Sequence, residues 1–471
     1  MSFLKSRRTN AIYQRSTAGL AYALMLVAGV MAFLVIAQWG EGLVAPEAVD
    51  AVAPKAAKLG AGQSHALVHV LVALLAVVAL GRLLSKSLSR WHQPPVIGEI
   101  LAGILLGPSL LGRVAPDAAR LILPAEVAPY LGVVAHLGVI LYMFVVGLEL
   151  NGELLRDRAH STLAISHASI LAPFVLGAAL ALWLYPRLST NDVPFTSFAL
   201  FLGVAMSITA FPVLARILTD TRINKTELGV VALSCAAADD ITAWCLLALV
   251  VGVAQSQVNG AFTVIAGAVA YLLLMFVLVR PLLHRWLQRH DGLLTSGKTA
   301  MVFVALLASA LVTEAIGIHA IFGAFLLGAV IPHDSELARQ LTLKLEDVVT
   351  VLLLPAFFAF TGMRTQIGLL GDVGAWLMCG LVVAVATFGK FGGTLGAARL
   401  TGLPWREGAA LGVLMNTRGL MELVVLNIGL DLGVISPTLF AMMVVMAVVT
   451  TMTTTPMLTL LGVHQPAQAD S

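Results

Sequence analysis

Charge is what this sequence has least of. Asp, Glu, Lys and Arg make up 11% of its 471 residues, and the net charge is only +3. A soluble exterior draws on a composition with about 25% charged residues, so a water-facing globule is excluded. The small net charge provides no basic footprint for nucleic acid, and none is expected as a partner. Cysteine is nearly absent: Cys235, Cys245 and Cys379 are the three, each inside an apolar run. That excludes a disulfide framework and offers no metal-cluster spacing.

What fills the space is apolar sequence, 59% of the chain. Runs of about 20 apolar residues, each long enough for a hydrocarbon core about 30 Å thick, recur throughout. Spans are expected near 17–39, 65–84, 94–111, 128–148, 161–185, 196–218, 226–255, 259–279, 299–316, 317–333, 346–368, 372–398, 406–430 and 436–461. The fold class is therefore an all-α polytopic membrane protein with the lipid bilayer as its surroundings. With the N-terminus inside, most of the 28 Lys and Arg fall on the cytoplasmic side, among them Arg7, Arg8, Arg82, Lys86, Arg90, Arg156, Arg158, Arg285, Arg289, Arg399 and Arg406. Both termini are then cytoplasmic, in a cell inner membrane. The basic start and first apolar run also describe a signal peptide. A run of about 20 residues exceeds the 7–15 of a signal core and reads as a retained anchor. Three regions follow: an anchor helix and external loop (1–64), a membrane domain (65–461) and a short tail (462–471), with no nucleotide-binding regulatory domain expected after Leu461.

Two stretches resemble each other. Gly98–Gly107 (GEILAGILLG) is similar to His319–Gly328 (HAIFGAFLLG), and each precedes an aromatic-bearing span, Phe144–Glu149 and Phe357–Arg364. On the assigned topology one runs outward and the other inward, so five spans (94–255) pair with five of opposite direction (317–461). Inverted repeats mark secondary transporters, whose substrate site lies near midplane at the repeat interface. The fourth member of each half carries a helix interruption: Ser207-Ile-Thr209-Ala-Phe-Pro212 in one, Asn416-Thr417-Arg418-Gly419 leading to Glu422 in the other. Pro212 lacks an amide donor and Gly419 weakens a helix, so both spans are expected to break.

Intramembrane charges are costly and default to function. Asp239 and Asp240 lie mid-span and point about 100° apart on a helix, so they cannot share a proton. Lys390 lies in an apolar span among Gly389, Gly392 and Gly393, where small residues permit close helix approach. The expectation is that Asp239 pairs with Lys390 while Asp240 takes the transported cation, the one metal contact foreseen. A carboxylate that holds a proton or a cation, but not both, couples their opposite movements. Ser207, Thr209 and carbonyls freed by the breaks are candidate further oxygens. Arg418 and Glu422, four apart, are read as an ion pair stabilising the crossing, with a gating role as the alternative. Glu99 and Glu149 sit near span ends, and His319 and Glu314 flank a turn. No cofactor is expected beyond transported H⁺ and Na⁺ or K⁺.

The Asp239-Asp240 pair in an Ala-rich helix, Ser207–Leu214, Gly323–Gly328, Pro355–Phe358, Lys390 and Asn416–Gly419 together resemble the monovalent cation:proton antiporter family 2 over about residues 65–461. The resemblance implies a sodium/proton antiporter-like fold of crossed broken helices, here with an extra N-terminal helix. It also implies a homodimer with an elevator-like movement. Asp240 then corresponds to the essential cation- and proton-binding carboxylate, and Asp239 with Lys390 to the pair of electrogenic members. Glutathione-gated potassium efflux members carry glutamine at the position of Asp239, which disfavours a ligand-gated efflux system. Met415–Asn427 is similar to plant exchangers, so potassium stands beside sodium. A cation channel is the rival transport reading, but channels place selectivity residues in symmetric rings. An intramembrane aspartyl protease needs two converging acids, which neighbours on one helix cannot supply, so no enzyme is expected.

Overall fold

In the computed structural model, residues 2–46, 63–91, 93–149, 159–224, 226–255, 258–289 and 295–463 are described. Most of the external loop, the tail beyond Val463, and Arg156 and Arg158 lie outside them. Every segment expected to span is helical. Apart from the short helices Leu111–Val114 and Pro116–Ile122, the helices in chain order are α1 (Ser2–Gly40), α2 (Gln63–Ser89), α3 (Pro95–Leu106), α4 (Ala128–Glu149), α5 (Ala159–Leu188), α6 (Phe195–Ser207), α7 (Phe211–Asp220), α8 (Glu227–Gln255) and α9 (Val258–Leu273). They continue with α10 (Ser296–Ile316), α11 (Ala320–Val330), α12 (Glu336–Val348), α13 (Leu354–Arg364), α14 (Val373–Leu400), α15 (Trp405–Met415), α16 (Leu420–Asp431) and α17 (Pro437–Leu460). A π-helical turn, Leu274–Val279, carries α9 on into Arg280–Arg289.

Among the described residues, 11 helices are long and apolar enough to cross a membrane, or 12 when the bent pair α15–α16 is one span. The sequence suggested more because two of its apolar stretches fold differently. The stretch 317–333 holds the 11-residue α11, which His319 starts and Pro332 follows. The stretch 346–368 begins with a π turn, Val349–Leu353, before the 11-residue α13. The charged segment 333–345 gives α12, an amphipathic helix capped by Ser335.

Glycines set the closest helix contacts, and they do so twice in the same way. Gly103 of α3 and Gly107, which caps its end, lie against the backbone of Phe358 and Gly362 in α13. In α11, Gly328 lies against the backbone of Phe144 and Gly147 in α4. A Cβ at any of these glycines would overlap main chain. The first member of each half thus packs on the second member of the other, as two interlocked inverted repeats require.

Contacts gather into two groups. One holds α2, α3, α4, α9, α10, α11 and α13; the other holds α1, α5, α6, α7, α8, α14, α15, α16 and α17. We call them the scaffold and the core. They meet where α17 touches α3 and the turn Ile367–Leu369, and where α8 turns into α9. The N-terminal helix belongs to the core: Gly29 abuts Leu171, and Tyr22 and Phe33 pack on His167 and Phe174 of α5.

Candidate ion-binding site

The site lies where the two broken helices cross. Between α6 and α7 the chain is extended at Ile208 and Ala210. Pro212 falls in the first turn of α7, where its missing N–H costs nothing. Between α15 and α16, Asn416–Gly419 form the break, and the two helices bend by 45°. Gly419 is extended, at φ 173°, and a Cβ there would crowd Val213 of α7.

Breaking a helix in apolar surroundings strands its terminal N–H and C=O groups. Here each break satisfies the other. Ala210 N donates to Thr417 O at 3.0 Å, and Thr209 Oγ1 donates to Met415 O at 3.1 Å. Thr451 of α17 spans the second break, accepting from Arg418 N at 2.9 Å and donating to Arg418 O at 2.8 Å. The last three carbonyls of α6 face cations. Arg418 donates to Ala205 O at 3.0 Å and also to Met206 O, while Lys390 Nζ donates to Ser207 O at 2.5 Å. Positive charge at a helix C-terminus opposes the negative end of its dipole.

Lys390 reaches this point because Gly389 and Gly393 of α14 let it lie directly against Pro173, Ala168 and Ala172 of α5. Its ammonium pairs with Asp239 Oδ2 at 2.9 Å, and both side chains are fully buried. Asp239 gathers three hydroxyls besides: Ser166 on Oδ1 at 2.6 Å, and Ser169 and Thr209 on Oδ2 at 2.9 and 2.8 Å. Four donors, one of them the counter-ion, meet the needs of a buried carboxylate.

Its neighbour is different. Asp240 is 2% exposed, and its Oδ1 has no hydrogen-bond partner. It lines a small cavity, about 10 Å³, with Ile208, Ala243, Trp244, Leu247, Met421 and Val425. Trp244 closes one side by stacking on Phe325 of the scaffold, ring centroids 6.4 Å apart. Arg418 and Glu422 form a second buried pair at 3.1 Å, with Glu422 Oε1 left unpartnered.

The residues singled out in the sequence therefore come together. Asp239, Lys390, Ser207 and Thr209 share one hydrogen-bond network. Asn416, Thr417, Arg418 and Gly419 make the opposing break, Glu422 begins α16, and Pro212 begins α7. Ser207 and Thr209 direct their hydroxyl protons to Ile170 O, Gly203 O, Met415 O and Asp239. Sequence reasoning missed Ser166, Ser169 and Thr451. The first two stand three apart in an apolar span, a polar stripe facing one way that was there to find. Of the weaker candidates, Glu314 accepts from Ala320 N at 2.7 Å and caps α11, and His319 is its N-cap residue, with a left-handed φ of 67°.

Comparison with known proteins finds relatives over most of the chain. Residues 71–460 match the family described as "Sodium/hydrogen exchanger, transmembrane". The Na(+)/H(+) antiporter NhaS4 of Synechocystis sp. is 45% identical over 399 residues, covering 84% of this chain and 97% of that protein. Cation/H(+) antiporter 18 of Arabidopsis thaliana is 38% identical, covering 86% of this chain and 50% of its own length. K(+)/H(+) antiporter 1 of Saccharomyces cerevisiae is 36% identical, covering 78% and 45%. The chain spans about half the length of these last two. The fold is that of the sodium proton antiporter MjNhaP1 from Methanocaldococcus jannaschii, at a TM-score of 0.61 and 14% identity, covering 84% of this chain and 97% of that one. With a family match over nearly all of its membrane helices and a relative matched from end to end, this chain belongs to the transmembrane sodium/hydrogen exchanger family, a family of transporters and not of enzymes.

Proposed function

We propose that this protein exchanges protons for a monovalent alkali cation, sodium or potassium, by alternating access, with Asp240 holding either ion in turn. One observation carries the reading: of two adjacent buried acids, Asp239 is saturated by four donors and Asp240 has an oxygen without a partner. A partnerless carboxylate oxygen in an apolar wall is expensive unless a proton or cation visits it. The cavity at that oxygen is also lined by Ile208 of the broken segment, and unwound backbone is a common source of oxygens for a hard cation. The relatives are named for sodium/proton, potassium/proton and general cation/proton exchange, which keeps both alkali ions in the proposal.

Competition for one site fixes the pH behaviour. Lowering the pH fills Asp240 with protons, so the apparent KM for the cation rises as pH falls. We read the exchange as electrogenic, with two protons moving against one cation. We further read the protein as a homodimer of the inner membrane with both termini cytoplasmic.

The test is proton movement in proteoliposomes with a trapped pH dye, a Na⁺, K⁺, Li⁺ and Rb⁺ panel, and Asp240→Asn beside wild type. A cation pulse should dissipate the pH gradient in wild type only. Cations that cross without moving protons would put a channel in place of the antiporter. A voltage dye in the same vesicles reads the net charge moved.

A further inference from the structure

Exchange by alternating access requires the core to shift against the scaffold, and the inference here rests on that reading. The centre of their interface is apolar, with Trp244 lying on Phe325. Gln93 Nε2, between α2 and α3, donates to Met452 O of α17 at 3.1 Å, and a cluster of side-chain bonds between the groups forms where α13 of the scaffold meets α16 of the core. Arg364, the last residue of α13, donates to Asp431 Oδ1 at 2.6 Å and to Asn427 Oδ1 at 3.0 Å. Asn427 Nδ2 donates back to Thr361 Oγ1 at 2.9 Å. The guanidinium also lies over the Phe360 ring, 5.1 Å from its centroid.

We infer that Thr361, Arg364, Asn427 and Asp431 form a latch between scaffold and core that holds one facing state and opens in each transport cycle.

Three features separate a latch from a permanent clamp. Asp431 ends α16, where a carboxylate opposes the helix dipole, so its place is not explained by the stability of its own helix. The Arg364–Asp431 pair is partly exposed, at 20% and 44%, so water can solvate both groups when it opens. The pair at the crossing, Arg418–Glu422, is fully buried, and parting it would strand two charges. Finally, α16 carries both Glu422 at its first turn and Asn427 and Asp431 at its end, so movement at the latch is delivered directly to the broken-helix crossing. Rigid helices that have two discrete arrangements are the physical carriers of such coupling.

The experiment uses the full chain with its exposed native cysteine replaced, Cys245→Ser, and the double substitution Arg364→Cys with Asp431→Cys. A short bis-methanethiosulfonate reagent joins the pair through two mixed disulfides in proteoliposomes, releasing sulfinate, and cation-driven proton movement is read before and after reduction. The latch predicts at least a tenfold loss of exchange on cross-linking, full return with reductant, and no loss on reagent treatment of either protein that carries one of the two new cysteines. Cross-linked protein that exchanges at the uncross-linked rate overturns it. Arg364→Ala and Asp431→Ala should each change the apparent KM for the cation roughly twofold to fivefold, the scale of a partly exposed ion pair. The exchanged pair, Arg364→Asp with Asp431→Arg, should restore it. Hydrogen exchange supplies a readout that needs no transport: cross-linking should raise protection of residues 236–247 in α8 beside the cavity. Unchanged protection there overturns the latch even if the vesicles show no exchange, whereas inactive wild type with altered protection overturns the antiport reading and leaves the latch standing.

Discussion

Replacing Lys390 by methionine tests whether the Asp239–Lys390 pair is an energetic unit or only a short distance. The substitution nearly preserves volume and removes the ammonium that Asp239 meets at 2.9 Å and Ser207 O at 2.5 Å. Asp239 keeps three hydroxyl donors but loses its only counter-ion in a fully buried setting. Breaking a buried pair from one side costs about 3–5 kcal/mol, and no solvent screening reduces it here. Asp239→Asn on the same background removes the stranded charge, and an amide oxygen still accepts from serine and threonine. The double variant should therefore recover about 2 kcal/mol or more relative to Lys390→Met alone. That threshold discriminates, because hydrogen bonds between membrane helices average only about 0.6 kcal/mol in the same kind of cycle. The measurement is a thermal-unfolding cycle in detergent with wild type, both single variants and the double. A coupling below about 0.5 kcal/mol would refute the reasoning, since the charges would then be solvated in the working protein.

Other expectations follow from the same geometry. Asp240→Asn removes a partnerless buried acid, so thermal stability should hold or rise while alkali cations lose any stabilising effect, as read by melting in NaCl, KCl and choline chloride. Ser166→Ala deletes one donor to a charged oxygen and should cost about 1.5–3 kcal/mol of stability, whereas Ser89→Ala, an exposed surface change, should cost little. Thr451→Val strands the Arg418 N–H and C=O together, and a loss of about 1–3 kcal/mol is expected in the same melting assay; an unchanged melt would show that another group spans the second break. Gly328→Ala sets a Cβ against Phe144 and Gly147 backbone, and size-exclusion profiles should show loss of monodisperse protein.

The sequence by itself determined the class of molecule, the inverted repeat, both helix breaks and the three central charges. Those features are written in composition and local pattern. Apolar length gives spans, Pro212 and Gly419 mark breaks, and an acid in hydrocarbon is conspicuous wherever it occurs. The pairing of Asp239 with Lys390 was already expected, and the tertiary structure supplied the physical reason that one of two identical neighbouring side chains is saturated and the other is free. Asp239 and Asp240 differ in nothing local; only the packing of α5, carrying Ser166 and Ser169, and of α14, carrying Lys390, saturates one and leaves the other. The same holds for Thr451, which lies 33 residues from the break it closes, and for Arg364 and Asp431, which are 67 apart and join scaffold to core. Hydrogen bonds of that range depend on the mutual placement of whole helices, and helix placement is set by close contacts such as Gly393 on Ala168 and Gly107 on Gly362, which a one-dimensional pattern does not encode.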